Sequence, residues 1–108
     1  MNNDCTEVII TADDPDWLAE FTQRLVEDRL VACGQSIATV RSICRWENAV
    51  QDVREARVAL HTRASLVPAI VDRTNADHPY DVPCVIALPI TQGNPEYLSW
   101  ILESTREA

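Results

Sequence analysis

The side chains best suited to chemistry are two histidines, His61 and His78, and four widely spaced cysteines, Cys5, Cys33, Cys44 and Cys84. No cysteine pair has the C-x-x-C spacing of a redox or zinc motif, and no G-x-S-x-G sequence marks a nucleophile elbow. The two glycines, Gly34 and Gly93, are isolated, so no phosphate-binding loop is predicted. The spacing therefore predicts reduced thiols that pack as small apolar residues, and a protein that is not an enzyme.

Asp77 and His78 form the segment most suited to binding a metal ion. Histidine is the commonest ligand for transition metals, and an adjacent carboxylate supplies a second donor. The neighbouring Pro79 and Pro83 stiffen this polar loop. A mononuclear site needs three or four donors, and only two are adjacent here. Two interpretations stay open: a weakly held divalent metal at His78 and Asp77, or a loop histidine hydrogen-bonded to the backbone.

Length and charge limit the class of protein and its partners. The chain has 108 residues and a formal net charge of −8, and all nine basic residues are arginine. A chain of this length forms one domain, which we assign to residues 1–108. The acidic excess repels phosphate groups, so we expect neither nucleic acid nor a membrane as a partner. Because the first residues lack a basic and apolar leader, we expect a cytoplasmic protein.

Hydrophobic periodicity and capping residues divide the chain into helices and strands. Asp14-Pro15 and Asn94-Pro95 each place an N-cap residue before a proline at the first helical position. The predicted order is strand 6–12, helix 15–31, strands 36–46 and 53–62, helix 64–76, strand 84–90 and a terminal helix after Asn94. This βαββαβ order with a C-terminal helix predicts an α+β, ferredoxin-like domain, in which helices cover one face of an antiparallel sheet.

The two middle strands form a hairpin whose arms are unusually long. Glu47, Asn48 and Ala49 connect the arms, and asparagine tolerates the left-handed conformation that a tight turn requires. Arms of about ten residues reach roughly 33 Å, which is more than the helices of a small domain can cover. One sheet face also lacks a covering helix. Because an exposed ribbon of this kind invites pairing with another chain, we predict an oligomer.

Five segments together resemble the CutA family of divalent-cation tolerance proteins. They are residues 25–33 (LVEDRLVAC), 45–48 (RWEN), 78–83 (HPYDVP), 86–90 (IALPI) and 93–100 (GNPEYLSW), and the resemblance extends over about residues 6–104. It implies a ferredoxin-like protomer in a tight homotrimer, similar in build to the PII signalling proteins. It also implies a role in tolerance of divalent metals such as copper, without an established catalytic reaction.

The chain departs from the family pattern at positions that matter for metal binding. Thr11 stands where members proposed to bind copper carry a cysteine, and Asp77 stands where they carry the first of two histidines. The loss of two soft donors should weaken copper binding. His61 and Cys84 replace a lysine and a glutamate. If these two residues lie together, they form a His/Cys pair suited to a soft metal.

Crevices between subunits are the alternative location for a function. There the protein would act as a trimeric signalling or scaffold module that binds a small ligand or a protein partner. The candidate residues for these crevices are Trp46, Glu47, His61, Tyr80, Cys84, Tyr97 and Trp100.

Overall fold

The computed structural model describes residues 4–107, and its elements follow the predicted order. The strands and helices are β1 (Cys5–Ala12), α1 (Pro15–Glu27), β2 (Cys33–Trp46), β3 (Ala49–Arg63), α2 (Val67–Asp77), β4 (Val85–Pro89) and α3 (Pro95–Ser104). A short 3-10 turn, Ala64–Leu66, leads into α2. Within the described range, every helix is too short or too polar to cross a membrane.

The four strands form one antiparallel sheet in the order β2-β3-β1-β4. β1 lies inside the sheet, where Ile9 is paired with Ala59 of β3 on one side and with Ile86 of β4 on the other. Together with the helices, this strand order confirms the α+β, ferredoxin-like fold.

The main core lies between α1, α2 and one face of the sheet, which we call the helix face. Alternate residues of β1 and β3, such as Val8 and Leu60, point to this face and are fully buried. α1 contributes Leu18, Phe21 and Leu25, whose spacing places them on one side of the helix. Burial of these side chains is the largest favourable contribution to folding.

The third helix lies on the opposite face of the sheet, which we call the open face. Ile101 of α3 is buried against Cys5 and Ala32 in a second, smaller cluster. Arg63 of β3 connects the sheet to the end of α3, because its guanidinium donates hydrogen bonds to the Leu102 carbonyl and to Thr105 Oγ1. Helices α1 and α2 therefore cover one face as predicted, whereas α3 covers only one end of the other.

The helix starts agree with the sequence better than the helix ends do. The Asp14 carboxylate accepts a hydrogen bond from the Asp16 amide at 2.9 Å, and the Asn94 side chain caps α3 in the same way. The predicted end of α1 near residue 31 was wrong, since the helix ends at Glu27.

The hairpin extends the molecule to 44 × 25 × 22 Å. Glu47 and Asn48 form its two-residue turn, with φ angles of 50° and 64°, as expected from the tolerance of asparagine for this region. A bulge between Ala38 and Val40 leaves Thr39 without a partner on β3. Each residue of β2 after the bulge therefore faces the side of the sheet opposite to the one that simple alternation would give it.

The open face and the hairpin expose many large apolar side chains. Ile37 is 57% exposed, Ile86 is 53% exposed and Leu88 is 46% exposed, and the strand register places all three on the open face. The hairpin adds Ile43, Trp46, Val50 and Val53. Contiguous apolar surface of this kind is typical of an interface with another protein.

Gly34 of β2 lies where the helix face has no room for a side chain. A Cβ at this position would lie 2.5 Å from Thr22 Cγ2 and 2.9 Å from Leu60 Cδ2. We expect Gly34→Ala to lower the free energy of unfolding by about 1–3 kcal/mol, because overpacking forces neighbouring side chains out of their rotamers. Urea denaturation measures this loss. Gly93→Ala is the control, since its Cβ would meet only Leu98 at 3.3 Å, and an equal loss in both variants would contradict the steric explanation.

Candidate functional site

His78 is a buried histidine whose two ring nitrogens both have backbone partners. Its Nε2 donates to the Thr11 carbonyl at 2.8 Å, and its Nδ1 accepts from the Tyr80 amide at 3.0 Å. His78 as a whole is 7% exposed, and its ring packs between Trp17 and Tyr80 with centroid distances of 4.8 and 4.7 Å. This geometry matches the hydrogen-bonded loop histidine that was one of the two interpretations of the sequence.

The loop around His78 does not fit a resident metal ion. A metal on either ring nitrogen would have to displace a backbone hydrogen bond, and the neighbouring Asp77 side chain is exposed at the end of α2. Across residues 4–107, no three histidine, cysteine or acidic side chains are grouped so that they could hold a metal. The metal site at His78 and Asp77 stays a prediction, and the contacts of the ring do not support it.

Tyr80 connects this loop to the long hairpin. Its hydroxyl donates a hydrogen bond of 2.7 Å to Glu55 Oε2, and Glu55 is only 8% exposed. Burial, followed by the hydrogen bond to Glu55, raises the pKa of the Tyr80 hydroxyl well above its ordinary value. The phenol therefore stays protonated at neutral pH and serves as a permanent donor to the carboxylate.

A cavity of about 470 Å³ opens beside this hydrogen bond. Trp46 and Val53 of the hairpin line one side, and Tyr80, Val82 and Cys84 line the other. Three of the residues expected in a crevice between subunits, Trp46, Tyr80 and Cys84, thus border one cavity. Glu47 lies apart from it in the exposed hairpin turn.

We expect Tyr80→Phe to lower the free energy of unfolding by about 1–3 kcal/mol. The substitution removes the hydroxyl but keeps the ring, so the nearly buried Glu55 carboxylate loses its donor. Urea denaturation of Tyr80→Phe, Glu55→Leu and the double variant measures the coupling between the two side chains. Strictly additive losses in the double variant would contradict this explanation, because residues joined by a hydrogen bond should couple.

A second polar cluster lies on the open face beneath α3, and we call it the His61 cluster. It comprises Glu7 of β1, Cys33 of β2, His61 of β3 and Tyr97 of α3. His61 Nε2 lies 2.9 Å from Glu7 Oε2, and His61 Nδ1 lies 2.6 Å from the Tyr97 hydroxyl. Cys33 Sγ lies 3.7 Å from His61 Nδ1 and 3.5 Å from the Tyr97 hydroxyl.

The strand register holds the His61 cluster together. Cys33 is directly opposite His61 in the β2–β3 ladder, and Glu7 is directly opposite His61 in the β1–β3 ladder. Trp100 packs against Tyr97 with a centroid distance of 5.5 Å. Burial, followed by the hydrogen bond to Cys33, raises the pKa of Tyr97 to about 12, so this phenol keeps its proton at neutral pH.

The structure thus divides the predicted crevice residues between two places. His61, Tyr97 and Trp100 lie together beneath and along α3, whereas Cys84 lines the separate cavity near the hairpin. Within one chain the cysteine beside His61 is Cys33, and Cys84 lines the other site, so the condition for a His61/Cys84 pair is not met inside the protomer.

Sequence reasoning missed three polar residues of these sites: Glu7, Cys33 and Glu55. Each lies on a strand, and its role depends on which residue lies opposite it on the next strand or above it on a helix or a loop. These neighbours are set by the pairing of the strands, and no local sequence motif identifies them.

The fold and its two polar sites define a class of small α+β proteins with an antiparallel sheet, an exposed sheet face and a projecting hairpin. Comparison with known families is consistent with this description. The family model described as CutA1 divalent ion tolerance protein matches residues 6–104. The chain belongs to this CutA1 family.

Curated relatives support the same assignment. The divalent-cation tolerance protein CutA of Thermus thermophilus is 38% identical over 98 residues, covering 91% of this chain and 95% of the relative. The chloroplastic protein CutA of Arabidopsis thaliana is 37% identical over 99 residues, covering 92% of this chain and 54% of the relative. The chain thus spans about half the length of the plant relative. The name of the Thermus relative describes a tolerance protein and not an enzyme.

Solved structures have the same fold. CutA1 from Oryza sativa superposes with a TM-score of 0.95 at 34% identity, covering 99% of this chain and 98% of that chain. The divalent cation tolerance protein from Thermus thermophilus superposes with a TM-score of 0.91 at 36% identity, covering 94% of this chain and 99% of that chain. The structural agreement therefore extends over nearly the whole domain.

Proposed function

We propose that this protein is a non-enzymatic homotrimer of PII-like build that acts in the cytoplasm in tolerance of divalent metal ions, copper among them. The observation that carries the proposal is the apolar open face, on which Ile37, Ile86 and Leu88 are exposed. A face this apolar is stable in water when other copies of the chain cover it. The names of the relatives, divalent-cation tolerance proteins, supply the link to divalent cations.

The assembly is tested by light scattering during size-exclusion chromatography at low micromolar concentration. We expect a mass close to three times the 12.1 kDa of one chain. Leu88→Glu places a charge on the open face and should shift the mass toward that of the single chain. Val26→Glu is the matched control, because Val26 is 38% exposed on α1, away from the open face. A monomeric unsubstituted protein, or equal effects of both substitutions, would overturn the proposed interface.

The role in metal tolerance is tested in cells. Expression of the protein in a bacterial strain that lacks its own CutA gene should restore growth at raised copper concentration. The Leu88→Glu variant should restore it less well, since the assembled form is proposed to be the active one. Growth that is independent of the protein at every metal concentration tested would contradict this role.

The cavity beside Tyr80 favours a second candidate function, a trimeric signalling or scaffold module that binds a small ligand or a protein partner. Its volume of about 470 Å³ and its aromatic walls, Trp46 and Tyr80, suit a small molecule. A thermal-shift screen with nucleotides, organic anions and metal salts distinguishes the two candidates. A ligand that binds the folded protein raises its melting temperature, and Trp46→Ala should abolish the rise for a cavity ligand but not for a metal.

A further inference from the structure

The His61 cluster contains a sulfur and a nitrogen that face each other at the separation of two ligands on one metal. Cys33 Sγ and His61 Nδ1 lie 3.7 Å apart. With metal–sulfur bonds of about 2.3 Å and metal–nitrogen bonds of about 2.0 Å, two ligands at tetrahedral or trigonal angles are separated by roughly 3.5–3.8 Å. The two atoms therefore need little or no movement to share a cation.

The second nitrogen of His61 has the partner that a metal-binding imidazole normally has. Glu7 Oε2 accepts a hydrogen bond from Nε2 at 2.9 Å, which leaves Nδ1 as the nitrogen available to a cation, 3.7 Å from Cys33 Sγ and 2.6 Å from the Tyr97 hydroxyl. A carboxylate in this position orients the ring. The Glu7 carboxylate also brings a negative charge close to the cation. This charge and that of the Cys33 thiolate together would balance a charge of +2.

The backbone holds the two donors in place before any ion binds. Cys33 and His61 face each other on adjacent strands, and the Ala32 amide donates to the His61 carbonyl at 2.8 Å. The His61 side chain is 13% exposed, so a cation there would be partly withdrawn from water. Such preorganisation is what distinguishes a built site from a chance pair of surface donors.

We propose that Cys33 and His61 form a binding site for a thiophilic divalent cation of the Zn²⁺ or Cd²⁺ type, with Glu7 as the group that orients His61. Binding releases the Cys33 thiol proton to solvent and forms metal–sulfur and metal–nitrogen bonds. The protonated Tyr97 hydroxyl, now 2.6 Å from Nδ1, gives up that hydrogen bond and moves aside, and water molecules complete the coordination. The biological meaning of this site rests on the proposed function. The site adds to that function the class of cation and the residues that bind it.

The test is a Cd²⁺ titration monitored by the ultraviolet thiolate-to-metal charge-transfer band. The background is Cys44→Ser/Cys84→Ser, because both of these thiols are exposed and would bind Cd²⁺ on their own. We expect one Cd²⁺ per chain in the background protein and loss of the band on adding Cys33→Ser. His61→Gln should weaken binding by at least tenfold, and Glu7→Gln by about 10–100-fold. Cys5 remains in every variant as an internal control, since it is buried against α3.

Two results would overturn the site. The first is a band that persists in the Cys33→Ser protein. The second is binding in which neither His61→Gln nor Glu7→Gln changes the affinity, because Cys33 would then act as an isolated thiol. Circular dichroism of each metal-free variant shows whether it is folded before titration. The titration is independent of the assembly test, since all four residues belong to one protomer. If the protein forms a trimer but does not bind Cd²⁺, only the proposed cation site is contradicted, and the proposed function stands.

Discussion

Phe21→Ala should lower the free energy of unfolding by about 3–5 kcal/mol. Phe21 is fully buried, at the centre of the contact between α1 and the helix face. Its ring stacks on Trp17 with a centroid distance of 5.0 Å, and this contact is lost with the side chain. Close-packed neighbours relax only partly into the space, so the loss includes a cavity contribution in addition to the lost burial.

Urea denaturation followed by circular dichroism, at one fixed protein concentration, measures this effect. The concentration must be constant because the proposed assembly would add to the apparent stability of the folded state. Val26→Ala is the control on the same helix, since Val26 is 38% exposed and its loss should change stability by no more than about 0.5 kcal/mol. A loss below about 1 kcal/mol for Phe21→Ala would show that the core is not arranged as described.

The sequence predicted best those features that depend on a few adjacent residues. Asp14-Pro15 and Asn94-Pro95 mark the starts of α1 and α3 because an N-cap acceptor and a proline with fixed φ act locally. The hairpin turn at Glu47 and Asn48 was found for the same reason. The order of such local elements was sufficient to predict the fold.

The end of α1 was missed because the residue that ends it is unusual. Arg29 adopts a φ of 59°, and its amide donates to the Val26 carbonyl while the Leu30 amide donates to the Leu25 carbonyl. This is the Schellman arrangement, in which glycine normally takes the left-handed position. The Arg29 guanidinium also donates a 2.8 Å hydrogen bond to the Glu103 carbonyl. The left-handed conformation of Arg29, which the sequence does not favour, is therefore accompanied by a contact with the end of α3.

Strand register explains why the site was only partly predicted. The sequence named His61 and Tyr97 as candidates for a site, but their neighbours depend on which residues stand opposite each other across three strands. A one-residue change of register would move Cys33 to the other face of the sheet. The bulge at Thr39 shows the same limitation, because it reverses the facing of the rest of β2 and has no signature in the sequence.

His78→Ala should lower the free energy of unfolding by about 2–4 kcal/mol, through two backbone groups that lose their partner. The Thr11 carbonyl and the Tyr80 amide both depend on the imidazole, and the rings of Trp17 and Tyr80 lose packing. Asp77→Ala is the matched control, since this exposed neighbour should change stability by no more than about 0.5 kcal/mol. Urea denaturation of both variants measures the difference.

The same pair of variants decides between the two interpretations of this loop. If His78 serves the fold, calorimetric titration with Cu²⁺ should give the same heats for the unsubstituted protein and for Asp77→Ala, while His78→Ala loses stability even in metal-free buffer. If the loop holds a metal, both substitutions should reduce the heats, and His78→Ala should have its largest effect on stability when metal is present. The hydrogen bonds to both ring nitrogens favour the first result, because no lone pair of His78 is free to bind a cation without breaking the loop.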